Sequence, residues 1–216
     1  VEMLKTINER IEILLDKDHK IGHSFFIDII DFDSLKVVFK DKIIPLLEEY
    51  FFQRLNSIVS GRKPYRLDQE HFQWIYPCIR EYIKNIRDCN RICNAFSMKY
   101  LLCGEECDVG DLLAITVIEL YEANVFEDLK NHKFYMLGKD NLGQMVKDTK
   151  WIQEFRDKLF SKVNLKKRDF VGGLIYNMFP RFCDLVEEPN VMPSGHRESN
   201  SDRICSEESF DKYFAL

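Results

Sequence analysis

Apolar residues recur every three or four positions along most of this 216-residue chain. The first segment shows the pattern clearly, because charged residues stand between Leu4, Ile7, Ile11 and Leu14. Such spacing aligns apolar side chains on one face of a helix, whereas a half-buried strand would alternate apolar and polar residues. Only nine glycines and six prolines interrupt the chain, which is few for a turn-rich β fold. The sequence therefore predicts a mostly α fold with one or two small helical subdomains.

Breaks in this periodicity divide the chain. The stretch from Gly61 to Asp68 combines glycine, proline and three cations, and it is the predicted domain boundary. A helix over about residues 35–52 is predicted to kink or break at Pro45, because proline removes a helical hydrogen bond. Ser24 to Asp33 fits either a helical turn or a buried strand, and Asp108 is a predicted helix cap. Helices are further predicted over about residues 1–15, 69–100, 112–120, 125–136, 150–160 and 166–179.

The overall composition argues against several classes of protein. The formal net charge is −5 and the pI about 5.6, so the chain lacks the global positive field that attracts nucleic acid. No apolar run approaches the roughly 18 residues needed to span a bilayer, and no signal peptide is evident, so no membrane partner is expected. The odd number of cysteines, seven, favours reduced thiols in a cytoplasmic protein over a disulfide scaffold.

Arg87 and Arg91 form a candidate binding feature in the middle of the chain. Residues four apart lie on the same face of a helix, so the two guanidinium groups are able to point at one target. Their planar arrangement of donors suits a phosphate or a carboxylate. A solvated helix face with surface ion pairs explains the same spacing, so both interpretations stay open at this point.

A second group of cations follows in the last third of the chain and consists of Lys162, Lys166, Lys167 and Arg168. Side chains of this kind bind nucleic-acid phosphates. A solvated run of charges is the competing interpretation in a chain that is acidic overall. The group supports the alternative functional hypothesis, a helical module that binds nucleic acid or protein through a basic patch near Lys166.

The chain carries no motif of an independent catalytic site. No Gly-x-x-x-x-Gly-Lys-Ser/Thr loop occurs, so the chain cannot build the phosphate cradle of an NTPase by itself. His19 and His23 are four apart, but Gly22 between them weakens a metal-binding helix. The Cys89–Cys93 and Cys103–Cys107 pairs have a spacing that zinc sites allow, although buried thiols explain them too. No catalytic residue, metal or cofactor is therefore assigned to this chain.

Four short motifs follow one another between about residues 70 and 216. Arg87–Asn94 has the form Arg-Asp-x-x-Arg-x-x-Asn, and Val109–Ala114 contains Asp-Leu-Leu at a predicted helix start. Met178–Pro180 contains Phe-Pro, and Arg203–Leu216 contains Arg-Ile followed by Phe-Asp-x-Tyr-Phe. In this order the four motifs resemble the C-terminal helical region of the KAP family of P-loop NTPases.

A different set of motifs lies in the first 52 residues. Ile7–Ile11 is Ile-Asn-Glu-Arg-Ile, and residues 21–26 are Ile-Gly-His-Ser-Phe-Phe. Lys42–Phe52 is Lys-Ile-Ile-Pro-Leu-Leu-Glu-Glu-Tyr-Phe-Phe. Together they resemble the helical lid of McrB-type AAA+ proteins, which are the nucleotide-dependent motors of modification-directed restriction.

Both resemblances imply helical parts of P-loop NTPases without the nucleotide-binding core. The implied domains are a McrB-like lid segment at residues 1–60 and a KAP-like helical region at residues 61–216, together forming a lid-like bundle. The implied partner is a P-loop ATPase core, with other subunits or further copies of the chain also allowed. ATP or GTP with Mg²⁺ would bind in the full-length protein and not in this chain alone. Many members of both families act in bacterial defence against phage.

The resemblances also imply nucleotide-sensing residues. Arg87 matches an arginine at a helix start that reaches the γ-phosphate from above the core, and Arg91 is a second contact or an ion-pair partner. Gly22, His23 and Ser24 lie where a McrB-type lid approaches the nucleotide, and glycine permits a close approach. The implied function is an accessory lid that assists nucleotide sensing and partner coupling without catalysis of its own.

Overall fold

The computed structural model shows a mostly α protein, as the sequence predicts. It describes residues 21–27, 29–60, 69–104, 106–139, 150–186 and 201–215, together with Glu2, Lys5, Thr6, Asn8, Glu9 and Glu12. For His23 and residues 69–72 only the backbone is described. The described residues contain no strand, and those among the first twelve are all helical. The loop predicted at Gly61 to Asp68 lies outside the described residues. Every helix in the described part of the chain is too short or too polar to span a bilayer.

The chain divides into two compact units. Unit 1 comprises residues 1–63 and 83–94, and unit 2 comprises residues 64–82 and 95–216. Residues 83–94 therefore group with the N-terminal stretch, although the predicted domains assign them to the second domain. The division into a lid segment at residues 1–60 and a second helical region at residues 61–216 stays a prediction.

Unit 1 contains a short 3₁₀ helix at His23–Phe26 and then helix α1 at Phe32–Val38. Asp31 caps α1, because its carboxylate accepts a hydrogen bond from the Ser34 backbone N–H at 2.7 Å. The Ser34 hydroxyl accepts in return from the Asp31 backbone N–H at 3.1 Å. This reciprocal cap satisfies N–H groups that have no partner inside the helix. Of the two alternatives for residues 24–33, the helical turn is therefore correct and the buried strand is wrong.

The helix predicted over residues 35–52 is interrupted near Pro45, as the sequence indicates. A π-helical segment at Phe39–Ile43 separates α1 from α2, which runs over Ile44–Val59. Pro45 lies in the first turn of α2, where a backbone N–H would have no helical partner. The helix continues beyond the predicted end, because buried residues recur every four positions at Phe51, Leu55 and Val59.

The helix predicted over residues 69–100 is in fact two helices. Helix α3 is Gln69–Arg80 and helix α4 is Ile86–Cys103. Asn85 starts α4, because its side-chain oxygen accepts from the backbone N–H groups of Arg87 at 2.9 Å and Asp88 at 3.1 Å. The Asp88 carboxylate accepts from the backbone N–H of Lys84 at 3.1 Å. Asparagine caps compete with helix continuation, which explains the break.

Unit 2 is built around helix α5 at Val109–Tyr121, in which residues 109–118 are all buried. Asp108 caps this helix as predicted, since its carboxylate accepts from the Asp111 N–H at 2.8 Å. The helix predicted over residues 125–136 is in fact two helices that are separated at His132. The helix predicted over residues 166–179 begins with a separate 3₁₀ helix, which precedes α9. The remaining helices are α6 at Ala123–Asn131, α7 at Lys133–Met136, α8 at Lys150–Ser161, the 3₁₀ helix at Leu165–Lys167, α9 at Arg168–Met178, α10 at Pro180–Leu185 and α11 at Phe210–Phe214.

Helix α9 packs against α3 at very short range through Gly173. A Cβ atom at this position would lie 2.4 Å from the Sγ atom of Cys78, which is far inside van der Waals contact. Glycine inside a helix costs conformational entropy, so the close approach of the two helices is the reason for it here.

Candidate functional site

The five predicted nucleotide-sensing residues all belong to unit 1 and lie in two places. Gly22 and Ser24 are exposed at the start of the 3₁₀ helix, and the side chain of His23 lies outside the described residues. Arg87 and Arg91 are exposed on the first turns of α4. Two segments that are distant in sequence are thus parts of one compact unit.

One apolar cluster links these two places. Its centre is formed by Ile21 and Ile43, each 3% exposed, and Ile86 packs against it. Gly22 directly follows Ile21 in the chain, and Arg87 directly follows Ile86. Burial of the isoleucines therefore fixes the position of both backbones, while the polar residues beside them face solvent.

Asn8 holds the backbone next to Gly22. Its side-chain N–H donates to the Ile21 carbonyl at 2.8 Å, and its side-chain oxygen accepts from the Ile21 N–H at 2.7 Å. The two bonds satisfy both backbone groups of a buried residue, which would otherwise be costly to leave unpaired. The sequence places Asn8 in the Ile7–Ile11 motif but did not predict this contact, because a polar residue in an amphipathic helix has the pattern of an ordinary solvated position.

The backbone of Gly22 is extended, with φ −65° and ψ 142°, and any residue adopts this conformation. An added Cβ would lie 3.3 Å from the Ser24 Oγ atom, which is tight but easily relieved by a side-chain rotation. The fold itself therefore gives only a weak reason for glycine at this position. The role implied for it, close approach to a ligand, stays a prediction.

The start of α4 determines where Arg87 is presented. Asn85 binds the backbone N–H groups of Arg87 and Asp88, so the first turn is held in place. The guanidinium group is exposed and adds a full positive charge to the partial positive charge of a helix N-terminus. Asp88 in the same turn opposes this field with its carboxylate. An anion is favoured near Arg87, and the acidic neighbour moderates its attraction.

Arg54 joins α2 to α4 within unit 1. Its guanidinium group donates one hydrogen bond to the side-chain oxygen of Asn90 and another, at 2.7 Å, to that of Asn94. Asn94 is the final residue of the Arg-Asp-x-x-Arg-x-x-Asn motif, so in this structure that position serves helix packing. Sequence reasoning missed Arg54, since nothing in its neighbourhood marks an arginine whose partners lie 36 and 40 residues away.

The thiols of Cys89 and Cys93 are buried beside this arginine. Burial raises the pKa of Cys89 to about 12, and the nearby Cys93 and Asp88 add to that rise. Burial likewise raises the pKa of Cys93 to about 11. Both thiols therefore stay protonated near neutral pH, which suits core residues better than metal ligands.

The predicted basic group lies between the end of α8 and the start of α9 in unit 2, and its members are Lys162, Lys166, Lys167 and Arg168. Two of these charges are already paired, because Lys162 binds Asp128 and Lys167 binds Glu122 at 2.7 Å. The Lys167 ammonium group also lies 4.9 Å from the ring centre of Tyr82. Neutralised lysines attract phosphates less than free ones. A nucleic-acid contact at this group stays a prediction.

A buried ion pair lies at the centre of unit 2, and we call it the Asp111–Arg203 latch. Asp111 is fully buried, and its carboxylate accepts from the Arg203 Nε at 2.6 Å and Nη2 at 3.0 Å. It also accepts from the backbone N–H of Ile204 at 3.0 Å, and Arg203 donates to the Asn177 carbonyl at 2.8 Å. Burial lowers the pKa of Arg203, but the Asp111 carboxylate more than offsets this and the net shift is upward.

The latch and a nearby aromatic contact connect three of the four motifs that the sequence shows between about residues 70 and 216. Asp111 belongs to Val109–Ala114 and Arg203 opens the last motif. The ring of Phe179, in Met178–Pro180, has its centre 6.0 Å from that of Phe210. The burial of these residues gives the motifs a structural role in this protein, which sequence reasoning did not predict.

A comparison with known families finds a match in the first part of the chain. The family model described as the alpha-helical lid domain of McrB matches residues 1–59, which end where α2 ends. The resemblance of the N-terminal motifs to a McrB-type lid is thereby confirmed, and the similarity extends a little beyond residue 52. The resemblance of about residues 70–216 to the KAP family finds no support. No curated protein and no solved structure matches the chain.

Proposed function

We propose that the chain is an accessory part of an AAA+ ATPase, in which unit 1 acts as a lid over a nucleotide held by a P-loop core. The match of residues 1–59 to the McrB helical lid domain carries this proposal. The core supplies the phosphate loop, Mg²⁺ and ATP or GTP, and the chain itself contributes no catalytic residue. Defence against foreign DNA or phage is the setting that the lid resemblance suggests.

Nucleotide sensing is assigned to residues on both sides of the apolar cluster. Gly22, His23 and Ser24 form one edge of the proposed contact, and Arg87 with Arg91 forms the other. The exposed guanidinium of Arg87 provides paired donors for a γ-phosphate, and the helix N-terminus beside it favours the same negative charge. Hydrolysis and release of the γ-phosphate remove the group that Arg87 contacts in this proposal, so the lid would bind the triphosphate state more tightly than the diphosphate state.

The apolar surface of unit 1 supports association with a core. Four large apolar side chains within a short stretch are exposed: Ile27 at 69%, Ile30 at 94%, Phe32 at 69% and Val37 at 55%. Exposed groups of this kind commonly mark a surface that a partner covers. A P-loop ATPase core is the partner that fits a lid segment, and its contact with this stretch is part of the proposal.

Replacement of the proposed sensor tests the assignment. In the ATPase core assembled with this chain, Arg87→Ala should lower kcat for ATP hydrolysis at least about tenfold, because the lid loses the charged contact by which it closes over the γ-phosphate. Arg87→Lys should recover part of the rate, since the charge stays but the planar pair of donors does not. Circular dichroism should be unchanged, because the side chain is exposed.

Lys40→Ala is the matched control, because Lys40 is also an exposed cation of unit 1 but lies in the π-helical segment. It should hydrolyse ATP at the unmodified rate. Equal rates for Arg87→Ala and Lys40→Ala would remove the sensor role from Arg87. Failure of the chain to bind any AAA+ core would remove the lid function itself.

A further inference from the structure

Two cysteine side chains lie close together at the connection between helices α4 and α5. Cys103 is the last residue of α4 and is partly exposed, and Cys107 lies in the connection to α5 and is 2% exposed. The Cys107 thiol donates a hydrogen bond to the sulfur of Cys103. The two sulfur atoms are therefore neighbours, although neither is part of a disulfide.

The chain leaves the helix between these two cysteines. Gly104 follows Cys103, and a Cβ atom there would lie 2.1 Å from the Tyr100 ring and 2.5 Å from its carbonyl oxygen. Only glycine allows this close approach, which lets the chain turn immediately after Cys103. The turn matters for chemistry, because two cysteines in a continuous helix are held farther apart than a disulfide allows.

The Cys89–Cys93 pair of the same helix shows the difference. Both pairs have three residues between their cysteines, but Cys89 and Cys93 lie inside α4. Side chains four apart on a helix have Cβ atoms about 5–6 Å apart, whereas a disulfide needs about 3.5–4.5 Å. Only the Cys103–Cys107 pair has a break in the helix between its members.

The charges around Cys103 also differ from those around the helical pair. Lys99 and Lys212 act on Cys103, while Glu106 opposes them. Lys99 is almost buried and pairs with Glu119 at 2.9 Å, and Lys212 pairs with Glu106 at 2.8 Å. The hydrogen bond from Cys107 is the largest influence, and with both lysines it lowers the pKa of Cys103 to about 7 against the effect of burial.

The same hydrogen bond, followed by burial, raises the pKa of Cys107. The two pKa values thus move apart, and the more exposed Cys103 is the thiol of the pair that ionises more readily. Thiolates that are accessible and lie next to a second thiol are the cysteines that peroxides oxidise most readily.

We propose that Cys103 and Cys107 form a site of oxidation by hydroperoxides, with Cys103 as the attacking thiolate and Cys107 as the resolving thiol. In the first step the Cys103 sulfur attacks one peroxide oxygen, an S–O bond forms, and the O–O bond breaks. With hydrogen peroxide, Cys103 becomes a sulfenic acid and the hydroxide that leaves takes a proton to become water.

In the second step the Cys107 sulfur attacks the sulfur of this sulfenic acid. The S–S bond forms, the S–O bond breaks, and the departing hydroxide takes the Cys107 proton as water. Two thiols and one hydrogen peroxide therefore give one disulfide and two waters. The bond would tie the end of α4 to the residue just before the cap of α5.

Peptide mapping of the full chain after treatment with hydrogen peroxide at neutral pH tests the proposal. Free thiols are blocked with iodoacetamide before digestion, and the expected product is a Cys103–Cys107 cross-link that has lost two hydrogen atoms and is reversed by a reductant. In Cys107→Ser, dimedone should label Cys103, because no thiol is left to resolve the sulfenic acid. In Cys103→Ser, neither the cross-link nor the label should form.

Cys89→Ser with Cys93→Ser is the matched control, and this variant should form the cross-link at the unmodified rate. A measurement on the unmodified chain keeps the test valid if Cys107→Ser does not fold. At pH 7, iodoacetamide should modify Cys103 at least about tenfold faster than Cys89 or Cys93, because Cys103 is partly exposed and its pKa is lower than those of the two buried thiols. Equal rates for these thiols, or peroxide cross-links that omit Cys103, would overturn the proposal.

Discussion

The two compact units differ in how completely their large apolar side chains are buried. In unit 2 the residues from Leu112 to Ile115 are completely buried, and its exposed large apolar side chains include Met98, Leu101 and Leu102 near the end of α4. In unit 1 the exposed large apolar side chains are concentrated between Ile27 and Ile44, and Ile30 is 94% exposed. The family match, residues 1–59, falls on unit 1.

The difference fits the proposal that a partner covers part of unit 1. Unit 2 buries a charged pair and satisfies it internally, which requires a well-packed interior. Unit 1 holds together through Arg54, Asn8 and a small isoleucine cluster, while it leaves apolar surface in contact with water. If unit 2 is stable by itself and unit 1 needs a partner, mutations in unit 2 should chiefly lower stability. Mutations on the surface of unit 1 should chiefly weaken binding.

The largest effect is expected from the Asp111–Arg203 latch. Asp111→Ala should lower the free energy of unfolding by about 3–5 kcal/mol, because it leaves the Arg203 charge buried without the opposite charge of the Asp111 carboxylate. Urea denaturation followed by circular dichroism measures this loss. The double variant Asp111→Leu with Arg203→Met should recover much of the stability, since it removes both charges together.

Asp211→Ala is the matched control for the latch. Asp211 also forms an ion pair, with Lys133 at 2.6 Å, but its side chain is 78% exposed. Exposed pairs contribute at most about 1 kcal/mol, so this variant should be nearly as stable as the unmodified chain. If Asp111→Ala lost as little stability as Asp211→Ala, the interior of unit 2 would tolerate an unpaired charge. The contrast with unit 1 would then have no basis.

The latch also shows what sequence patterns reveal and what they omit. The short spacing of Asp108 and Asp111 predicts a helix cap, and the cap is present. The partner of Asp111 is 92 residues away, and no local pattern links the two. The mostly α fold was predictable because helical periodicity is local, whereas the pairing of distant charges depends on tertiary packing.

A smaller effect is expected in unit 1, where Arg54 bridges two asparagines. Arg54→Ala should cost about 1–3 kcal/mol locally, because the buried side-chain oxygen of Asn90 loses the hydrogen bond from Arg54. Opening of this contact would expose Cys89 and Cys93, so their reaction with an aromatic disulfide reagent should accelerate about tenfold or more. Gln53→Ala, on the exposed side of the same helix, should leave the rate unchanged.

The candidate sensor site illustrates the same limit. The motifs identified Gly22, Ser24 and Arg87, and each of them belongs to unit 1. The contacts of the supporting residues Asn8 and Arg54 were not predicted, because their partners are far away in sequence. The break before Arg87 was also missed, since the isoleucines on either side of it continue a helical spacing, although α3 ends at Arg80 and Asn85 caps the start of α4.

The smallest effect on stability, and the most informative one about function, is expected on the apolar surface of unit 1. Ile30→Ser with Phe32→Ser should change the free energy of unfolding by less than about 0.5 kcal/mol per site, because neither side chain is buried. Binding to an AAA+ core, measured by titration, should weaken about tenfold or more if the core covers these side chains. Leu165→Ser is the control, because Leu165 of unit 2 is also 76% exposed. Equal binding by all three proteins would mean that the lid contacts its core elsewhere, whereas a large loss of stability would mean that unit 1 is self-contained after all.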